Sequence, residues 1–232
     1  MKSKLALQEQ KDTALSEAVL STSRVEQLCE QVEGMILTGA IPLGGKLNEL
    51  ALAQELGVSR GLLREAVRLL EKSGLVRIEL NRGVFVRELD IKGVLDLFDV
   101  RAGLARVAAQ LAAQRASDDD IRKLCEILLE MESAMKHIAF QDYFALNTKF
   151  HTTIFDLACN ERLSNLEDMM STELSLYRRQ NLLQTQQLKT SHAEHTKIVE
   201  AITRRDAAKS GAAFEKHIKS GRQRFLEQIS RS

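Results

Sequence analysis

The chain has 232 residues, 44% of them hydrophobic, which is enough for one large core or two modest ones. With 33 Lys and Arg against 32 Asp and Glu, the net charge is +1, so any basic footprint must come from local segregation. One proline and 12 glycines suit long helices, no apolar run of about 18 residues offers a membrane span, and three scattered cysteines (Cys29, Cys125, Cys159) exclude a disulfide framework and fit free thiols in a reducing cytoplasm.

Residues 1–22 lack the apolar core and cleavage site of a signal peptide and form a polar N-terminal extension, frayed or partly helical. Val25, Leu28, Val32, Ile36 and Leu37 recur at helical spacing and predict a helix over about 25–37. "TGAIPLGGKL" breaks it. Asn48 is placed to cap a second helix over about 49–56, which Gly57 ends. Ser59 is placed to cap a third over about 60–72, ended by Ser73-Gly74. The period then changes. "LVRIEL" and "GVFVREL" alternate and are rich in β-branched residues, and "NRG" (Asn81–Gly83) between them suits a tight hairpin turn. Residues 23–88 thus hold three helices and one hairpin, the last strand signal in the chain. From about residue 90 onward six helical segments follow, near 90–115, 118–137, 140–158, 161–184, 190–204 and 206–229. Their short polar joints favour antiparallel neighbours, so 89–232 is an all-α helical bundle and the chain as a whole is mostly α.

The third helix carries a row of arginines. With Arg60 at zero and ~100° per residue, Leu63, Ala66, Val67 and Leu70 fall between about 240° and 340°, whereas Arg60, Gly61, Arg64 and Arg68 fall between about 0° and 100°. One face is core and the other presents donors. Two short helices joined by a three-residue turn containing Gly57, the second exposing polar donors, make a helix-turn-helix. Charge is segregated as well. Residues 60–87 hold seven Lys/Arg and three Asp/Glu, a net of +4, and residues 23–59 hold two and five, a net of −3. A cationic edge on a neutral chain is what duplex phosphates require, because counterion release supplies most non-specific affinity. Arg60 and Arg64 lie near the helix start and suit bidentate contact with guanine. Ser59 and the first backbone N–H groups suit a phosphate, as does Arg68 further along. Gly61 permits close backbone approach, Arg82 at the hairpin tip reaches the flanking groove or backbone, and Gly83 shapes the turn.

"LNELALAQELGVSRGLLREAVRLLEKSGLVRIELNRGVFV" resembles the winged helix-turn-helix of GntR-type regulators, over about residues 24–88. The departure is Gly61-Leu62, where the family most often carries Thr-Pro; it bears on the operator sequence rather than on the fold.

The histidines of the bundle form a second constellation. Asn147 and His151 are four apart and share a helix face. His195 lies 10 residues before Arg205 and His217 lies 11 after Asp206, rises of about 15 and 16 Å at ~1.5 Å per residue. If those two helices form an antiparallel hairpin, the imidazoles sit at one level. Three imidazoles and an amide oxygen can then converge on a divalent metal ion, Zn, Ni, Mn or Fe; the alternative is three unrelated surface or hydrogen-bonded core histidines.

Residues 90–229 also resemble the FCD effector domain of FadR-type GntR regulators, in its six-helix, VanR-like form. That domain's metal pattern is Asp-x3-His on one helix and single histidines on the last two. "NTKFH" fills the first pair with Asn147 replacing Asp, and His195 and His217 complete it. The resemblance also singles out Arg101, facing the cavity, as the clamp for an organic acid whose other oxygen the metal holds. An acid usually follows that arginine by four residues; here Ala105 stands there. Without a ligand role, Arg101 is solvated or paired with an acid on another helix.

Together these features predict a transcriptional regulator that binds palindromic operator DNA as a homodimer. A small carboxylate chelated by the metal would favour one arrangement of the bundles and change the spacing of the reading heads, and the resemblance implies repression relieved by that ligand. A helical metal-dependent enzyme is the alternative. It lacks a HExxH or GxSxG motif, and "GAIPLGGKL" puts a P-loop lysine one residue late. An architectural DNA binder without a ligand is the third reading.

Overall fold

The computed structural model describes residues 23–137, 139–178 and 185–230. The extension at 1–22 and the end of the helix expected over 161–184 lie outside the described residues. Two compact units divide at Glu88 and Leu89.

In the first unit, α1 (residues 23–37) buries Val25, Leu28, Val32 and Ile36. In α2 (Glu49–Glu55), the Asn48 side chain accepts from Ala51 N at 3.2 Å; in α3 (Arg60–Lys72), Ser59 Oγ accepts from Leu62 N at 3.2 Å. Gly57, at φ +65, makes the left-handed step between them. Leu63, Ala66, Val67 and Leu70 form the buried face of α3.

The sheet has three antiparallel strands in the order β1-β3-β2: β1 (Lys46–Leu47), β2 (Val76–Glu79) and β3 (Gly83–Val86). The sequence reading treats 38–47 as a loop, so β1 is a correction. Two residues cannot display an alternating pattern, and β1 exists because β3 pairs with it, Lys46 opposite Phe85 and Leu47 opposite Val84. The hairpin loop is Leu80–Arg82, closed by Arg82 N donating to Glu79 O at 3.0 Å, with Asn81 at φ +60 and Gly83 at φ +109. Asn tolerates the left-handed region better than other side chains, and Gly83 adopts its own angle without a Cβ penalty.

The second unit comprises α4 (Ile91–Arg115), α5 (Asp118–Lys136), α6 (Phe140–Leu157), α7 (Glu161–Arg178), α8 (Thr185–Thr203) and α9 (Ala207–Ile229). Ser117 and Asp120 form a reciprocal capping box at the start of α5. Helix α8 starts at Thr185, five residues earlier than the polar "QTQQLKT" suggests, and Leu188, Ser191, His195, Ile198 and Ile202 form one buried stripe along it. Helix α4 runs along α9, which pairs with α8, while α5 packs on α6 and α8. The α4–α9 contact is close because α4 offers alanines. Ala105, Ala108, Ala109 and Ala112 are fully buried, and Ser210 Oγ donates to Ala109 O at 3.0 Å. A Cβ at Gly211 would stand 2.9 Å from the Arg106 carbonyl oxygen.

That closeness is testable. Gly211→Val forces α9 away from α4 and should cost roughly 1–3 kcal/mol, as overpacking does. Urea melts followed by circular dichroism would register the lowered midpoint; an unchanged midpoint would show the two helices slide freely.

Candidate functional site

In the first unit, Ser59, Arg60, Gly61, Arg64 and Arg68 all lie on the exposed side of α3 and its N-cap. A Cβ at Gly61 would meet nothing nearer than Ser59 Oγ at 3.9 Å, so nothing in the protein requires glycine there, and the open side is the solvent side. Arg64 Nε stands 3.5 Å from Glu49 Oε1 with its side chain 69% exposed, a pair worth little in water. Ser59 Oγ is engaged as the helix cap. Arg82 is exposed at the wing tip and paired with Glu79 at 2.5 Å.

In the second unit, α6, α8 and α9 bring His151, His195 and His217 together in the interior. His151 Nε2 and His195 Nε2 lie 3.0 and 3.1 Å from His217 Nε2. His217 Nδ1 donates to Glu194 Oε2 at 2.8 Å, which leaves its Nε2 lone pair turned toward the other two rings. His195 Nδ1 is buried without a hydrogen-bond partner among the described residues. Burial holds the His195 imidazole well below its usual range. Burial lowers His217 too, although its bond to Glu194 pulls upward. Both rings are therefore neutral near pH 7, the form that binds metal. Burial raises the Glu194 carboxyl, but hydrogen bonds from His217 and Ser220 with the Arg224 charge outweigh this and hold it below its ordinary value.

The donor set fits a divalent ion. Cis ligands of an octahedron with metal–nitrogen bonds of ~2.1 Å are separated by about 3.0 Å, and tetrahedral ligands by about 3.4 Å. The two nitrogen separations match the octahedral edge. Asn147, one turn before His151 and 9% exposed, lines the same cavity.

Arg101 is fully buried and committed. Its Nε lies 2.9 and 2.8 Å from the two Glu167 carboxylate oxygens, its Nη2 also contacts Glu167, and Nη2 lies 3.0 Å from His151 Nδ1. Of the two ligand-free alternatives for Arg101, the structure shows the pairing with another helix: α7 supplies the acid that α4 lacks at Ala105. Arg101 still lines the cavity, about 70 Å³, beside Phe98, Phe144, Asn147, His217 and Arg224. His192, which sequence reasoning leaves out of the metal set, lies outside the three-histidine cluster.

Glu167, Glu194 and Arg224 also belong to the site. Glu167 interrupts the buried row Leu163, Met170 and Leu174, and an acid within an apolar stripe is a visible sign. Glu194 sits in "HAEH", where it attracts notice only as a failed metalloprotease motif. Arg224 follows His217 by seven residues and so shares its face; its Nη1 lies 3.4 Å from Glu194 Oε2.

Comparison with known proteins adds lineage. Residues 96–220 match the FCD domain, and residues 24–86 match the bacterial regulatory proteins of the gntR family. The chain is 32% identical over 182 residues to an uncharacterized HTH-type transcriptional regulator, YdhC, of Bacillus subtilis (strain 168), covering 78% of this chain and 81% of that protein. It is 32% identical over 186 residues to the Nta operon transcriptional regulator of Aminobacter aminovorans, covering 80% and 87%. The solved structure of E. coli McbR/YncC aligns with a TM-score of 0.76 at 17% identity, over 89% of this chain and 98% of that one, a likeness of fold.

The neutral histidines make stability depend on pH. Unfolded imidazoles take up protons below about pH 6.5. Folded His195 and His217, with lowered values, resist protonation, so the unfolded chain binds more protons there. Their contribution is complete above about pH 6.5 and is lost as pH falls below it. Metal-free protein should melt at steadily lower temperature as pH falls from about 6.5 to about 5.5, and His195→Gln should flatten that slope; a pH-independent melt in the parent chain would show the rings to be solvated.

Proposed function

Because the chain belongs to the gntR family of bacterial regulatory proteins and carries an FCD domain, we propose that it is a repressor whose hold on operator DNA is released by a small carboxylate bound with a divalent metal ion. Its family and relatives are transcriptional regulators, which sets the enzyme reading aside. No helix among the described residues is long and apolar enough to cross a membrane.

Three buried imidazoles meeting at 3.0 and 3.1 Å carry the metal part of this reading. His151, His195 and His217 would hold the ion, with Asn147 beside them and effector oxygens filling the remaining positions. Bound there, the metal would fix and polarise the effector's oxygens. Charge explains why an acid suits the site. Glu167 balances Arg101, Glu194 is paired with Arg224, and the rings are neutral, so a divalent ion brings two charges that no ligand offsets. With Asn147 in place of an aspartate, the compensation falls to the effector.

The effector would be small: the space beside the imidazoles is about 70 Å³, lined by Phe98, Phe144 and Ile218 with Asn147 and Arg224. Its anionic end has two cations within reach. Freeing Arg101 would break a buried bidentate pair, whereas Arg224 is partly exposed and makes one long contact, so Arg224 is the readier partner. Preference of the acid for one bundle arrangement, by a typical 1–3 kcal/mol, would weaken DNA binding about 5–150-fold.

A homodimer is favoured by α4. Val100 and Val107 lie seven residues apart on one face and are 52% and 43% exposed, while Leu97, Leu104 and Leu111 beside them pack on the bundle core. An exposed apolar pair of this kind suits a self-complementary contact across a two-fold axis.

Two measurements test the reading. Arg64→Ala should lose about 1–3 kcal/mol of discrimination between operator and scrambled duplex in a gel shift; undiminished discrimination would dismiss α3 as the reader. Asn147→Asp should tighten metal binding without any acid on the order of tenfold, measured by chelator competition. Unchanged affinity would place position 147 outside the coordination sphere.

A further inference from the structure

The sheet carries a cationic feature apart from the recognition helix. Lys46 on β1, Phe85 on β3 and Arg77 on β2 lie directly opposite one another, one rung across all three strands. Directly paired residues share a face, here the outer one, because the alternate positions Leu47, Val76, Val84 and Val86 are buried. Arg82 joins them from the hairpin loop. All three cations gather on the Phe85 ring, with Lys46 Nζ at 5.8 Å, Arg77 Cζ at 5.3 Å and Arg82 Cζ at 5.8 Å from its centroid.

The arrangement is built. Gly83 leaves a lane for the lysine: a Cβ there would stand 3.0 Å from Lys46 Cε. Arg77 and Arg82 both pair with Glu79, which cancels one of the three positive charges and leaves two. Arg77 and Arg82 keep 52% and 73% of their side chains exposed, so they are held in place without being covered. Three like charges around one ring repel each other, and the ring's negative face offsets that only partly. A polyanion lowers the energy of such a group.

We propose that the Lys46–Phe85–Arg77 rung is a second DNA-contacting surface of the wing, which binds backbone phosphates alongside Arg82. The inference rests on the DNA-reading function of this unit and extends it to two residues off the recognition helix. Charge complementarity selects the occupant, and continuity with Arg82 at the tip places it. Lys46 and Arg77 stand on the outer strands, about 9.5 Å apart, and therefore serve different phosphates. Phosphate contacts position the protein without reading sequence. The rung sets affinity and salt dependence, and the arginines of α3 set discrimination.

Because the contact is sequence-independent, any random-sequence duplex of about 30 base pairs serves as the probe. Fluorescence anisotropy at a series of salt concentrations gives the slope of log K against log salt. The double substitution Lys46→Gln/Arg77→Gln should reduce that slope by about 1.8 and weaken binding roughly 60-fold at 0.1 M salt, at ~0.9 per phosphate contact. Lys46→Arg/Arg77→Lys should retain the parent slope. Phe85→Leu, which keeps every charge, should retain the slope but bind several-fold more weakly, with its melt showing the unit folded. Lys189→Gln/Lys197→Gln removes two exposed lysines of the second unit and should leave the slope alone. An unchanged slope in the Lys46/Arg77 double variant, or an equal drop in the Lys189/Lys197 control, overturns the proposal. Failure of the parent chain to bind any duplex would instead overturn the DNA-reading function itself.

Discussion

A chain of polar contacts through the bundle core governs the second unit. Glu167 on α7 grips Arg101 on α4; Arg101 meets His151 on α6; His151 meets His217 on α9; and His217 donates to Glu194 on α8. Five helices are tied by groups that would each be costly to bury alone. Removing one member would strand its neighbour in a low-dielectric interior, so the members stand or fall together. A core built this way couples five helices through one run of polar contacts.

The same core explains why α4 occupies the centre. Its alanine face admits α9 closely enough for Ser210 to reach the Ala109 carbonyl. That closeness brings Arg101 and His217 to the wall of one cavity. Beside that face, Leu97, Leu104 and Leu111 pack on the bundle core while Val100 and Val107 stay exposed. One helix thus gives its small residues to its own bundle and leaves two valines at the surface.

The DNA-reading unit follows a different economy. It has few residues, a core of aliphatic side chains and a surface whose arginines are lightly held by acids, Arg64 by Glu49 and Arg82 by Glu79. Exposed pairs of this sort are weak in water, so these guanidinium groups are only lightly committed within the unit.

Much of this was legible in the linear chain. Local rules carry over directly: hydrophobic period, caps at Asn48, Ser59 and Ser117, the Asn-Arg-Gly turn and the outward arginine row depend on neighbours within a few residues. The levels of His195 and His217 were also readable, because helical rise is constant and the joint at Arg205-Asp206 is short. What required the tertiary structure was every relation across elements. Strand β1 is too short to show a pattern and forms because β3 supplies its hydrogen bonds. The acid facing Arg101 sits 66 residues away on α7; helical spacing marks Glu167 as an acid within an apolar stripe, but nothing in the linear order pairs it with Arg101. Glu194 and Arg224 acquire meaning only where α8 meets α9. A sequence determines what each side chain brings, since that is set by its own atoms and its own turn of helix; packing decides which of them share low-dielectric space, because that depends on parts of the chain far apart in order.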